Sequence, residues 1–149
     1  MELKLSKIKL VWKTREGSKG RTKRDYLDIV IDGESLSNLV GGDLVSCLGW
    51  FMPGENELAV RRLLLEEPAD FPNERRSLYV CPECGDIGCG AVTVAIEKRD
   101  NSIIWRDFGF ENTVEDTVDT RFNAVGPYVF EPVEYESVLK QAAELDENS

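Results

Sequence analysis

The chain has 149 residues, with 28 Asp or Glu against 18 Lys or Arg and no histidine, for a net charge of −10. Its 42% apolar and 31% charged residues are the composition of a folded protein, which excludes a disordered chain, and the length suits one domain with its own core. The lack of histidine removes the commonest general base and the Ser-His and Cys-His pairs that activate nucleophiles, which weighs against hydrolytic and transfer enzymes.

Leu3 and Leu5, then Ile8, Leu10 and Trp12, alternate with polar residues as a half-buried strand does, with a change of phase at Ser6 that predicts a bulge or two short strands. Leu27, Ile29 and Ile31 alternate with Tyr26, Asp28 and Val30, and Gly17 and Gly20 lie between the two runs, so residues 1–33 read as a long hairpin with a basic tip. A short helical stretch, Glu34 to Leu39, follows before Gly41 and Gly42 break it. Pro53 and Gly54 mark a turn, and Asn56 is placed to cap a helix over 55–66 in which Val60, Leu63 and Leu64 share a face; Pro68 and Pro72 bound it.

Leu78 and Val80 lead as a strand into Cys81-Pro82-Glu83-Cys84-Gly85-Asp86-Ile87-Gly88-Cys89-Gly90. Val92, Val94 and Ile96 continue beyond it, Asp100-Asn101-Ser102 makes a tight turn, and Ile103 to Phe110 returns, giving a cysteine loop and hairpin over 78–110. Trp105 and Phe108 read as core, and adjacent Arg106 and Asp107 are expected on opposite faces of the strand. Pro132 suits the first turn of a helix over 132–145, with Glu131 and Glu134 at its positive end and Tyr135, Val138, Leu139, Ala142 and Leu145 along one stripe. The predicted fold is α+β in one domain, 1–149: a mainly antiparallel sheet of about five to six strands with two main helices and a cysteine loop leading into a β-hairpin.

The first apolar run is interrupted by Lys4, Lys7 and Lys9, and no stretch reaches the roughly 18 apolar residues of a membrane span, so a cytoplasmic protein is expected. There thiols stay reduced, and the four cysteines serve as metal ligands, redox groups or small buried side chains. A Cys-x-x-Cys turn followed by glycine directs two thiolates at one zinc ion, and Cys89 supplies a third sulfur. The fourth ligand is Cys47, a carboxylate such as Asp86, a water or a partner's residue; Cys47, between Val45 and Leu48, also fits a packed thiol. The expected zinc ligands are therefore Cys81, Cys84, Cys89 and Cys47, in a structural site. The alternatives are an unmetallated loop, a dithiol redox pair, or an open metal site that activates water.

Charge is divided along the chain. Residues 1–24 carry nine Lys or Arg against Glu2 and Glu16, a net of +7, whereas residues 25–149 carry nine basic against 26 acidic residues, a net of −17. The acidic part repels nucleic acid and attracts a basic protein. Lys13, Arg15, Lys19, Arg21, Lys23 and Arg24 of the hairpin are the candidates for phosphate contact. The run Glu111, Glu115, Asp116 and Asp119 is a candidate clasp for a cation or a partner's basic patch, although its spacing matches no calcium loop and an acidic surface loop also accounts for it.

The segment from Tyr79 to Val94, with Trp105-Arg106-Asp107-Phe108-Gly109, Gly126-Pro127, Phe130 and Tyr135, resembles a family of small uncharacterised bacterial proteins. The resemblance covers about the last half of the chain. Some members carry an automatic oxidoreductase label, but the resemblance implies no established activity, and no Gly-x-Gly-x-x-Gly after a strand supports a dinucleotide site. Two expectations of function follow: a non-enzymatic acidic protein that binds a basic partner, as an immunity protein or antitoxin binds a nuclease, or an enzyme using the cysteine segment.

Overall fold

The computed structural model describes residues 5–41, 43–49, 53–83, 90–112, 118–119, 121–122 and 124–145, with only the backbone of Pro53 and of residues 143–145. The fold is α+β, as the sequence predicts, but its strands divide between two antiparallel sheets. The smaller sheet has the order β1 (Ile8–Arg15), β2 (Arg24–Ile31), β3 (Glu34–Ser35). The larger, a curled half-barrel, has the order β4 (Val45–Ser46), β5 (Arg75–Val80), β6 (Ala91–Arg99), β7 (Ser102–Glu111), β8 (Tyr128–Phe130). Helix α1 spans Leu36–Val40, α2 Pro53–Leu63 and α3 Pro132–Leu145.

Local chemistry sets these boundaries. β1 and β2 pair over their whole length, from Ile8 opposite Ile31 to Arg15 opposite Arg24. Asp32 and Gly33, both at positive φ, make the two-residue turn into β3, and Asp100-Asn101 makes the turn between β6 and β7 that the sequence predicts. Ser35 caps α1, its side chain accepting from the Asn38 N–H. In α3 the Glu131 carboxylate accepts from the N–H groups of Val133 and Glu134, and Pro132 opens the helix.

Two expectations are corrected here, the bounds of α2 and the facing of β2. Helix α2 starts at Pro53, so Asn56 lies inside it; the side chain is buried, accepting from the Gly49 N–H and donating to the Ala142 carbonyl. The helix stops at Leu63 because the Leu65 N–H bonds the Arg62 carbonyl and the Glu66 N–H bonds that of Arg61, with Leu65 in the left-handed position at φ 65. The polar positions of β2 also do not face water: Tyr26 is buried beside Ser37 of α1, and Asp28 is buried among Tyr79 of β5, Ser35 and Ser37. The phase change at Ser6 marks a change of partner, since Leu5 bridges Val129 of β8 and the Ser6 N–H bonds its carbonyl before β1 begins.

The two sheets meet at both edges of the larger one, through Ser6 on β8 and through the Leu27 N–H on the carbonyl of Leu48, just past β4. One apolar cluster fills the space between them, including Leu27, Ile29 and Ile31 of β2, Leu78 and Val80 of β5, Val92, Val94 and Ile96 of β6, and Val60 and Leu63 of α2. Trp105 and Phe108 belong to it, as expected; the Trp105 indole donates to the Tyr135 hydroxyl, which donates to the Leu63 carbonyl, linking β7, α3 and α2. Burial pushes the Tyr135 hydroxyl pKa well up, so it stays a donor. Among the described residues no helix is long and apolar enough to cross a membrane.

Across the cluster runs one polar bridge. Asp28, 3% exposed, accepts from the Tyr79 hydroxyl of β5 at 2.7 Å, from Ser35 Oγ at 2.5 Å and from the Ser37 N–H at 3.3 Å. Burial, then Asp28, raises the Tyr79 pKa and keeps its proton in place. Tyr79→Phe leaves a buried carboxylate short of one donor, and a loss of about 1–3 kcal/mol is expected. A urea unfolding midpoint that did not move, at unchanged m value, would show that the bridge does not hold the sheets together.

Candidate functional site

The cysteine segment leaves the end of β5 beside the tip of the β1–β2 hairpin. Cys81 is half-buried there, and the two residues after it are each tied to the hairpin. The Pro82 carbonyl accepts from Arg24 Nε at 2.8 Å. The Glu83 carboxylate accepts from the Thr22 N–H at 2.9 Å, from Thr22 Oγ1 at 2.8 Å and from Arg15 Nη1 at 2.7 Å. Arg15 is 8% exposed and forks onto both oxygens of Asp43 at 2.8 and 2.7 Å, while Arg21 reaches Asp43 at 3.2 Å.

The electrostatics follow from this geometry. The Thr22 N–H and hydroxyl, then Arg15, pull the Glu83 pKa down to about 2. Bonding to Arg15 lowers Asp43, and Asp43 in turn raises Arg15. Three of the hairpin residues expected to touch phosphate, Arg15, Arg21 and Arg24, thus bind the chain itself, and Lys13 donates to Asn38. Lys19 and Lys23 make no ion pair among the described residues.

Of the expected zinc ligands, Cys84 and Cys89 lie outside the described residues, as do Gly85, Asp86 and Gly88. Cys47 and Cys81 are not brought together. Cys47 follows β4 and its N–H bonds the Leu78 carbonyl, three residues back from Cys81 along β5, a separation on the order of 10 Å at the rise of a strand. Its thiol contacts the Ser77 carbonyl and hydroxyl at 3.8 and 3.7 Å, and burial pushes its pKa up to about 12, so it is a protonated packed thiol in this arrangement. Among the described residues no group of three or more Cys, Asp or Glu side chains is close enough to hold a metal ion. Gly90 closes the loop at φ 111, where an added Cβ would meet the Phe110 ring at 2.5 Å.

Other sequence candidates are dispersed. Glu111 is not on a surface loop; it is buried against Arg75 at 2.7 Å and against Thr93, a cluster that needs the bare backbone of Gly109, where a Cβ would lie 2.8 Å from the Arg75 guanidinium. Asp119 pairs with Arg121 and bridges Phe110 in the backbone, while Glu115 and Asp116 lie outside the described residues. Arg106 and Asp107 are corrected as well. A bulge between the Ala95–Arg106 and Thr93–Gly109 pairs puts Asp107 at φ 56, so both side chains leave the same exposed side and bond each other.

Sequence reasoning missed the Arg15–Glu83–Asp43 cluster because Glu83 reads as the spacer of a Cys-x-x-Cys turn. The available signal was composition: a basic tip in an acidic chain needs counter-charges, and the acidic residue inside the loop is one of them.

Glu83 is more acidic folded than unfolded, so its contribution to stability is full above the ordinary carboxylate pKa of ~4.3 and disappears as pH falls through about 2. Glu83→Gln is expected to melt below the wild type at neutral pH, with the gap closing as the pH is lowered from about 5 to about 2. A gap that stayed constant with pH would assign the loss to packing. Comparison of the chain with protein-family models, curated proteins and solved structures finds no match.

Proposed function

We propose that the chain is a non-enzymatic, acidic interaction protein of the cytoplasm that neutralises a basic protein, in the manner of an immunity protein or antitoxin acting on a nuclease. The observation that carries this reading is the internal use of the basic hairpin. Arg15 and Arg21 are paired with Asp43 and Glu83 and Arg24 is held by the Pro82 carbonyl, so part of the +7 of residues 1–24 is met within the fold by two of the acidic residues beyond it, and the chain keeps its net −10. Glu55 and Glu57 of α2, and Glu66 just beyond it, point to solvent. Such a surface speeds encounter with a cationic partner and loses that advantage in salt.

Immobilised chain exposed to lysate of its native host is expected to retain a basic protein that elutes as salt is raised and whose activity the chain inhibits. Recovery of no basic protein, or binding indifferent to salt, sinks the proposal.

In this reading Cys81, Cys84 and Cys89 form a structural zinc loop, supported by the anchoring of both Pro82 and Glu83 to the hairpin, which fixes the start of the turn before any metal arrives. The same anchoring also suits the second reading, an enzyme using the loop as a dithiol or open metal site. Purified protein is expected to hold about one zinc per chain, and Cys81→Ser to release it with a fall in melting temperature. A metal-free sample that melts normally and whose thiols cycle reversibly to a disulfide favours the redox enzyme instead.

A further inference from the structure

The surface around β6 and β7 carries two adjoining cavities, one over the outer face and one that also takes in Ile96 and Lys98 on the other side of β6. One, of about 480 Å³, is walled by Ile104, Val125, Pro127 and Val129, with Glu97, Arg99, Arg106 and Asp107 at its rim. The other, of about 350 Å³, is lined by Arg76, Lys98 and Arg106 together with Asn73, Glu74 and Glu97. Arg106 and Glu97 belong to both and form the divide between them. Volumes of this size are those of small-molecule sites.

Basic residues are gathered here in a chain that is otherwise acidic, four of them against the carboxylates of Glu74, Glu97 and Asp107. Four of the nine basic residues beyond Arg24 line these two cavities: Arg76, Lys98, Arg99 and Arg106. The acidic residues present pair with three of these four cations, and Lys98 makes no ion pair among the described residues. Glu97 accepts from Arg99 at 3.2 Å and from Arg106 at 3.4 Å, Asp107 accepts from Arg106, and Glu74 lies 3.6 Å from Arg76.

Two features mark the site as built. Arg76 is 3% exposed, yet among the described residues its guanidinium is held only by the Glu74 and Glu67 carbonyls at 3.3 Å and by an exposed carboxylate, and its Nε has no hydrogen-bond partner. A buried cation so thinly compensated is a costly arrangement that an oxyanion nearby relieves. The bulge holds Asp107 at φ 56, a backbone region that a non-glycine residue enters at a cost, and bulges of this kind re-aim side chains at functional sites.

We propose that this surface binds a small organic anion with an apolar body, its carboxylate or phosphate in the cavity of Arg76, Lys98 and Arg106 and its apolar part over Ile104, Val125, Pro127 and Val129. Neither half suffices alone. An inorganic anion leaves the apolar walls wet, and a neutral apolar molecule leaves the guanidinium of Arg76 as it was.

Titration of the full chain with sodium decanoate, followed by amide chemical shifts and by calorimetry, tests this. Saturable binding is expected, with shifts centred on Lys98, Ile104 and Val129. Lys98→Gln, an exposed position, is expected to weaken binding by about tenfold, the loss of one charge-assisted contact, and Ile104→Ser to weaken it by a similar factor. Lys19→Gln, in the tip of the β1–β2 hairpin and lining neither cavity, is expected to change nothing. Absence of saturation, shifts located elsewhere, or equal affinity in Lys98→Gln overturns the proposal. Competition by inorganic phosphate as effective as decanoate itself overturns the role of the apolar walls.

Discussion

The position of every other feature depends on how the two sheets are held against each other, and the constraint that fixes them is a buried carboxylate. Asp28 on β2 is buried, so it must find its donors inside the protein. Tyr79 of β5 supplies one, and Ser35 and Ser37 at the start of α1 supply the others. Apolar burial drives the sheets together without specifying their register. The directional bonds to Asp28, with the Leu27–Leu48 backbone bond beside them, select one arrangement.

Once β2 is held there, its end and the tip of the hairpin lie over the start of the cysteine segment. Arg15, Thr22 and Arg24 then meet Pro82 and Glu83, and the positive charge of the tip is met by Asp43 and Glu83. The cluster ties residues more than sixty positions apart, and because Arg15 is buried its two carboxylates hold a charge that water no longer screens well. The dipolar charge pattern of the sequence is thereby partly cancelled in the fold, leaving a surface dominated by acid.

The other end of the larger sheet is organised differently. There Trp105, Phe130 and Tyr135 pack edge-on or stacked at 5.2 to 6.1 Å between ring centres, and the Trp105–Tyr135–Leu63 hydrogen-bond chain fixes α3 on the sheet. A rigid inner face lets the outer face of the same strands carry strain. The bulge beside Trp105 displaces Arg106 and Asp107 to one side without disturbing the core on the other.

Local pattern determined β1, β2, the end of β5, β6 and β7, the tight turn at Asp100-Asn101, the last helix with its Pro132 start, and the burial of Trp105 and Phe108, but not the short strands β3, β4 and β8. These are local consequences of side-chain alternation, turn chemistry and helix capping, which act over a few residues. The sequence also determined that the chain is acidic and that its basic residues gather at one end. Only the tertiary structure decided that Asp28 and Glu111 are buried, that Asn56 faces inward, that Arg106 and Asp107 share a side, and that Cys47 lies apart from Cys81. Each of these is settled by a partner far along the chain or by a bulge, and a single inserted residue in a strand reverses which face a side chain takes.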